Sequence, residues 1–216
     1  MIEKWSIKKG FTLAEVLITL GIIGVVVSLT MPTLIQNTKK SEATTKIKKF
    51  ISVINQALIR AELDYGNRED WIKGEMNNYD SSIEFLNTYI NPYITNSTTE
   101  KGGATINTER TATLKFSDGS QMSIKVGTCY DIFYDINGKN GPNERGRDVY
   151  QFILCRKKGE CNVNNNQVRP YYCPANANKY PTHQEIIDNC INEGVYCTLL
   201  LQENQYEFPK DYPKRL

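Results

Sequence analysis

The strongest constraint in this sequence is an apolar run from Phe11 to Met31, 21 residues in which Glu15 is the only formally charged side chain. At about 1.5 Å per residue, a helix of that length spans roughly 30 Å, the thickness of a bilayer core. The sequence contains no second run of this kind, and it turns polar after Gln36. It therefore predicts a single membrane-spanning helix followed by a polar, folded head.

Glu15 needs an explanation, because a carboxylate near the middle of a bilayer costs about 2.5–3.5 kcal/mol and usually has a partner. A signal peptide has a shorter apolar core and a small-residue cleavage site, which "SLTMPTL" matches poorly. A plain membrane anchor accounts for the lysines before the run, through the positive-inside rule, but not for the acid. A cut between Gly10 and Phe11 would create an ammonium group one helical turn before Glu15. That charge could neutralise the carboxylate within one chain or between neighbouring chains.

The beginning of the sequence resembles the leader, cleavage site and hydrophobic helix of type IV pilins and the related pseudopilins. The resemblance is carried by "KKG" followed by "FTLAEVLITLGIIGVVVSLTMP", about residues 4–34. It implies that a prepilin peptidase cuts after Gly10 and methylates the new amine of Phe11. It also implies that Glu15 pairs with the N-terminus of a neighbouring subunit during filament assembly. In the filament the helix is expected to loosen between Gly21 or Gly24 and Pro32; the alternative is that Pro32 merely kinks it.

Apolar side chains recur with helical spacing after the proline, which predicts an amphipathic stem that continues the helix to about Tyr65. The residues of this apolar face are Ile47, Phe50, Ile51, Ile54, Ala57, Leu58 and Ala61. The lysines between positions 39 and 49 are expected on a solvated face of the same helix. The predicted organisation is a leader at 1–10, a transmembrane helix at 11–33, the stem at 34–66 and a head at 67–216.

Within the head, the apolar pattern changes from helical to strand spacing. The segments "TATLKF" and "QMSIKV" flank a hairpin turn that contains Gly119, and "CYDIFYDI" and "VYQFILC" predict two more strands. A short helix is predicted within residues 83–93, followed by a Thr- and Asn-rich surface loop. The tail resembles the closing segment of pilin-like heads, which implies a last strand ending at Asp211-Tyr212-Pro213. The fold class is therefore α+β, a long helix packed on an antiparallel sheet of about four strands. The pilin resemblance implies the same architecture.

An even number of cysteines in a head that follows a membrane anchor predicts disulfides in an oxidising compartment. The six residues are Cys129, Cys155, Cys161, Cys173, Cys190 and Cys197. Short separations favour a Cys190–Cys197 bridge and then a Cys155–Cys161 bridge, which leaves Cys129 with Cys173. A zinc site is the weaker interpretation, because no C-x-x-C pair occurs and His183 is the only histidine.

The connection "DINGKNGPNERGRD", residues 135–148, is unusually rich in Asp, Asn and Gly. Oxygen ligands between glycines could hold Ca²⁺, which takes about 6–8 oxygens, although the spacing does not fit an EF-hand. The candidate ligands are Asp131, Asp135, Asn137 and Asp148. The alternative is that the Asp and Asn side chains cap the turns of their own loop. The stretch also resembles a loop of many pilin-like heads, and the resemblance implies calcium because some pseudopilins bind it in a head loop.

Charge and residue types argue against several other function classes. The formal net charge is +2, and the residues before Phe11 supply all of it, so no basic field indicates specific nucleic-acid binding. The single histidine and the absence of a phosphate-binding glycine loop argue against an enzyme. No cofactor is expected apart from the Ca²⁺ considered above.

The predicted function is that of a structural subunit of a type IV pilus or pseudopilus. The resemblance implies that its partners are other pilin subunits in a homo- or hetero-polymer, membrane lipid, a prepilin peptidase and, indirectly, an assembly platform and a motor ATPase. The N-terminus is expected in the cytoplasm, the helix in the inner membrane and the head outside, with a surface or periplasmic filament after assembly. The alternative is a single-pass membrane-anchored extracytoplasmic binding protein that does not polymerise.

Overall fold

The structure, a computed structural model, describes residues 10–103, 110–157, 159–162, 167–173 and 180–216. The helices in these ranges are α1 (Leu13–Tyr65), α2 (Tyr79–Tyr89), α3 (His183–Asn192) and α4 (Cys197–Glu203). The strands in the same ranges are β1 (Thr98–Lys101), β2 (Ala112–Lys115), β3 (Gln121–Val126), β4 (Tyr130–Asp135), β5 (Val149–Leu154) and β6 (Arg169–Pro170). The chain divides into two compact units, an N-terminal unit of residues 1–39 and a head unit of residues 40–216.

Helix α1 runs without a break for 53 residues and passes through Pro32. The helix is continuous in this single chain, and the loosening expected in an assembled filament stays a prediction. Its end at Tyr65 agrees with the prediction, and Gly66 follows with a φ of +78°, the left-handed backbone conformation that commonly ends a helix. Among the described residues, α1 is the one helix long and apolar enough to cross a membrane. Its apolar side chains within the N-terminal unit are exposed.

The sheet is an antiparallel meander in which each of the six strands pairs with the next one in the sequence. The four predicted strands are present as β2 to β5, and the α+β fold class is confirmed. Strand β1 lies inside the stretch predicted as a surface loop, and the short strand β6 adds a further edge beyond β5. The predicted number of about four strands is therefore too low.

The main core of the head unit lies between α1 and one face of the sheet. The α1 side chains buried there are Ala43, Ile47, Phe50, Ile54, Ala57, Leu58 and Ala61. They form the face predicted from helical spacing, except that Ala43 is added and Ile51 is only partly buried. The ring of Phe50 stacks on Tyr134, with 4.1 Å between the centroids, and lies 5.1 Å from the ring of Phe152. The second part of α1 is thus a structural component of the head.

Two lysines of α1 also join this helix to the sheet's loops. Lys46 Nζ donates a hydrogen bond to the carbonyl oxygen of Ile136 at 2.9 Å. Lys49 Nζ forms an ion pair with Asp118 in the β2–β3 turn at 2.8 Å. The prediction of a solvated face is therefore wrong for Lys46, whose side chain is only 22% exposed, whereas Lys49 stays exposed to solvent while it forms its ion pair.

Two helices, α3 and α4, occupy residues 183–203, and residues 204–216 form turns without a strand, so the prediction of a final strand near Asp211 is wrong. A capping box between Thr182 and Glu185 starts α3: each side chain accepts a hydrogen bond from the backbone N–H of the other residue. In α4, three consecutive leucines at positions 199–201 are all buried. Such a short apolar run does not distinguish a buried strand from a buried helix by spacing alone.

Candidate processing and assembly site

A second capping box, between Thr12 and Glu15, holds the start of α1. Thr12 Oγ1 accepts a hydrogen bond from the Glu15 backbone N–H at 3.3 Å, and Glu15 Oε2 accepts one from the Thr12 backbone N–H at 2.7 Å. The Thr12 hydroxyl also donates to Glu15 Oε2 at 2.8 Å. This T-x-x-E arrangement satisfies backbone donors that the first turn of a helix otherwise leaves unpaired. The Glu15 carboxylate therefore has partners within its own chain.

Gly10 and Phe11 precede this capping box and are both exposed, Phe11 to 89%. The lysines expected in the leader lie outside the described residues. Cleavage after Gly10, methylation at Phe11 and pairing of Glu15 with a neighbour stay predictions. Sequence reasoning missed the partner of Glu15 within the chain, although the T-x-x-E spacing of "TLAE" was the available signal.

In the Asp/Asn loop, Asp148 is buried and organises the backbone around it. Its carboxylate accepts hydrogen bonds from the backbone N–H groups of Asn143 and Glu144, each at 2.7 Å, and from Asn137 Nδ2 at 3.3 Å. Asp135 is also buried and accepts from the Asn137 backbone N–H at 3.1 Å. These hydrogen bonds close the loop in the way that the turn-capping alternative describes.

The four candidate calcium ligands do not come together. Asp135, Asn137 and Asp148 are connected by hydrogen bonds, whereas Asp131 lies four residues before Asp135 on β4, about 13 Å along an extended strand. Asp131 faces Lys125 instead, with 3.9 Å between the carboxylate oxygen and Nζ. Burial raises the pKa of Asp131, and the nearby cations only partly oppose that rise. The calcium site stays a prediction, and in this structure Asp131 lies apart from the other three candidate ligands. Asn137 Oδ1 is buried without a hydrogen-bond partner in the described part of the chain.

The six cysteines form three bridges in the head unit. These are Cys129–Cys155, Cys161–Cys173 and Cys190–Cys197. Short spacing favoured the last of these pairs, but the expected Cys155–Cys161 and Cys129–Cys173 bridges are wrong. The antiparallel register pairs the first residue of β4 with the last residue of β5, which places Cys129 opposite Cys155. Sequence separation could not reveal this register.

The ion pair between Lys49 and Asp118 is reinforced by Ser120. The Asp118 carboxylate accepts hydrogen bonds from the Ser120 backbone N–H at 3.1 Å and from the Ser120 hydroxyl at 2.6 Å. Burial opposes ionisation of Asp118, but the hydrogen bonds from Lys49 and Ser120 outweigh it and lower its pKa to about 2. Asp118 therefore stays negatively charged over the physiological pH range and links the β2–β3 turn to α1.

The apolar helix with an acid in its first turn and the α+β head with disulfide bridges are the features expected of a type IV pilin-like subunit. Residues 5–31 match the model of the prokaryotic N-terminal methylation motif, the signature of type IV pilins and pseudopilins. Proteins with this motif are structural subunits, and the motif and the apolar helix together indicate membrane anchoring.

Residues 33–216 match the model of a family described as a family of unknown function, DUF6613. This match covers most of the sequence, and the chain belongs to that family. No curated protein and no solved structure matches the chain.

Proposed function

We propose that the protein is a filament subunit of a type IV pilus or pseudopilus, cut after Gly10, methylated at Phe11 and assembled through its apolar helix. The observation that carries the proposal is the methylation motif at residues 5–31. From Leu13 onward the motif lies on a helix whose apolar side chains are exposed in the N-terminal unit. An exposed apolar surface of that extent requires lipid or other apolar helices around it. Packing of neighbouring helices in a filament supplies the second of these environments.

The proposed assembly step is an exchange of hydrogen-bond partners at Glu15. In the single chain its carboxylate accepts from the backbone N–H and the hydroxyl of Thr12. Cleavage would give a neighbouring subunit a cationic amine at Phe11. The bonds from Thr12 already benefit from the charge of the carboxylate, but a cationic amine adds a Coulomb attraction between opposite charges, which an apolar surrounding strengthens. The amine of a neighbour can therefore compete with Thr12 for the carboxylate.

Other parts of the proposal follow from the class of protein. A prepilin peptidase would cut and methylate the chain, and the partners in the filament would be other pilin subunits. An assembly platform and a motor ATPase would act indirectly. Before assembly, the helix would lie in the inner membrane with its N-terminus in the cytoplasm and its head outside. The chemistry of the subunit would be non-covalent assembly rather than catalysis.

The test uses substitutions that separate the two roles of Glu15. Glu15→Gln removes the charge but keeps a side-chain oxygen that can cap the helix, because Gln also serves in capping boxes. Thr12→Val removes the capping hydroxyl and keeps the charge. Each full-length variant is produced in the native cells, its membrane insertion is measured by alkaline extraction, and filaments are recovered by shearing.

Charge pairing predicts that Glu15→Gln inserts normally and forms no filaments, whereas Thr12→Val still assembles at a reduced level. Normal filaments from Glu15→Gln would contradict the proposed pairing and leave Glu15 as a helix cap. If the wild-type chain appears neither in sheared surface filaments nor in periplasmic polymers trapped by cross-linking in cells, the membrane-anchored binding protein becomes the better account.

A further inference from the structure

Two of the three disulfide bridges meet at one place in the head unit. Cys129 Sγ lies 3.4 Å from Cys161 Sγ, although each sulfur is bonded to a different partner. The sulfur atoms of Cys129, Cys155 and Cys161 all lie within 4.8 Å of one another. The bridges are therefore in van der Waals contact, whereas the third bridge belongs to a different hydrophobic cluster.

Access to solvent differs sharply along this group of sulfurs. Cys173 is exposed, Cys161 is 9% exposed, Cys129 is 4% exposed and Cys155 is 1% exposed. Cys173 is therefore the one residue of the four that is open to a reagent in solution. The Cys129–Cys155 bridge is shielded from such a reagent, and its contact with Cys161 connects it to the bridge that includes Cys173.

We propose that these four cysteines form a thiol–disulfide exchange site, which an external dithiol enters at Cys173 and which passes the exchange to the buried bridge through Cys161. The reagent class is a dithiol, either a small molecule or a protein with two adjacent thiols. The product is a second, defined pairing of the same cysteines. The site is independent of the proposed filament function.

The exchange is balanced in three steps. A thiolate of the dithiol attacks Cys173 Sγ, which breaks the Cys161–Cys173 bond and releases the Cys161 thiolate. The second thiol of the reagent then displaces Cys173 as a thiol, and the reagent becomes a disulfide. Finally, the freed Cys161 side chain rotates into line with the buried bridge and its thiolate attacks Cys129 Sγ. A Cys129–Cys161 bond forms, and the electron pair leaves on Cys155 Sγ.

A neighbouring carboxylate favours this direction of attack. Glu160 Oε2 lies 4.0 Å from Cys129 Sγ and is held there by hydrogen bonds from the backbone N–H groups of Arg156 and Lys157, at 3.1 and 3.2 Å. A negative charge on Cys129 is disfavoured next to a carboxylate. Attack at Cys129 avoids that charge, because the leaving sulfur is Cys155, whereas attack at Cys155 would create it.

The first test is partial reduction of the full-length protein in detergent micelles with a limiting amount of dithiothreitol, followed by acid quenching, alkylation and mapping of the bridges by mass spectrometry. The expected product of the first reduction has Cys155 and Cys173 alkylated and a Cys129–Cys161 bridge. A first product with Cys161 and Cys173 alkylated and the Cys129–Cys155 bridge intact would overturn the proposal. Initial reduction of the buried bridge would overturn it too.

A pair of matched variants gives a second readout. Cys173→Ser leaves one unpaired sulfur in the cluster, and Cys197→Ser leaves one at Cys190, away from it. The exchange site predicts alkylation of both Cys161 and Cys155 in the first variant and of Cys190 alone in the second. Alkylation of Cys161 alone in a folded Cys173→Ser protein would contradict the exchange. If the Cys173→Ser variant does not fold, partial reduction of the wild-type protein still tests whether the exchange occurs.

Discussion

Replacing Phe50 by alanine tests whether the second part of α1 belongs to the core of the head. Phe50 is only 3% exposed and contacts the rings of Tyr134, Phe152 and Phe116. Loss of a buried phenylalanine costs about 3–5 kcal/mol, since both the transfer free energy and the packing around the cavity are lost. Three aromatic neighbours place the expected cost toward the upper half of that range, because aromatic pairs add about 0.5–1.5 kcal/mol beyond burial.

The matched control is Leu63→Ala on the same helix. Leu63 is 82% exposed, so its truncation is expected to change the free energy of unfolding by less than about 0.5 kcal/mol. The assay is urea unfolding of each full-length variant in detergent micelles, followed by near-ultraviolet circular dichroism of the head's aromatic residues. A Phe50→Ala protein within about 1 kcal/mol of Leu63→Ala would refute the view that α1 completes the head's core.

Three further predictions concern two loops of the sheet, the β2–β3 turn and the Asp/Asn loop between β4 and β5. The pKa of Asp118 in the folded protein is about 2, below its ordinary value of 3.8. Ionised Asp118 therefore stabilises the folded state above about pH 4, and this stabilisation is lost as the pH falls through 2. The Lys49 side chain is 58% exposed, so solvent screens its ion pair with Asp118. Asp118→Asn should therefore lower the free energy of unfolding by about 1 kcal/mol at pH 7. Urea unfolding should show a much smaller difference between the variant and the wild type near pH 2. Asp148→Ala should destabilise the head by roughly 2–3 kcal/mol, because two backbone N–H groups lose their acceptor; a loss under about 0.5 kcal/mol in the same assay would contradict that role. The Asp148 carboxylate already accepts hydrogen bonds from those two N–H groups, so the midpoint of thermal unfolding should be the same in Ca²⁺ and in EDTA. A higher midpoint in Ca²⁺ would instead favour a metal site around Asn137 Oδ1.

The parts of the fold that follow from local spacing could be predicted from the sequence. One helical stripe from Ile47 to Ala61 identified the face of α1 that packs on the sheet, because burial on a helix repeats every three to four residues. The turn at Gly119, which has a φ of +82°, likewise identified the β2–β3 hairpin. In both cases the residues that carry the sequence pattern are the same residues that form the element.

The features that the sequence could not show depend on contacts distant in sequence. The pairing of Cys129 with Cys155 depends on the register of two strands, which a count of intervening residues does not contain. Strand β1 is polar, with the sequence Thr-Thr-Glu-Lys, and it forms because β2 offers it a partner edge. The position of Asp131 on β4 separates it from the Asp/Asn loop, although it is close to that loop in sequence.

Two further features have a local signal in the sequence. Both helix starts, at Thr12 and at Thr182, carry the T-x-x-E spacing of a capping box, which the predictions did not include. At Glu15 this spacing indicates an uncharged partner, Thr12, three residues away. At Glu185 the cysteines and the apolar run after them suggested a strand, although the capping box predicts a helix.

The proposed function requires that the chain is processed as a pilin at the Gly10–Phe11 bond. Mass spectrometry of the N-terminal peptide tests this on protein recovered from native membranes or from sheared surface material. Processing as a pilin gives a peptide that begins at Phe11 and carries a methyl group on its amine. An intact Met1 in the membrane-bound protein would contradict processing as a pilin, and a first residue beyond Thr30 would show that the apolar segment is removed as a secretion signal.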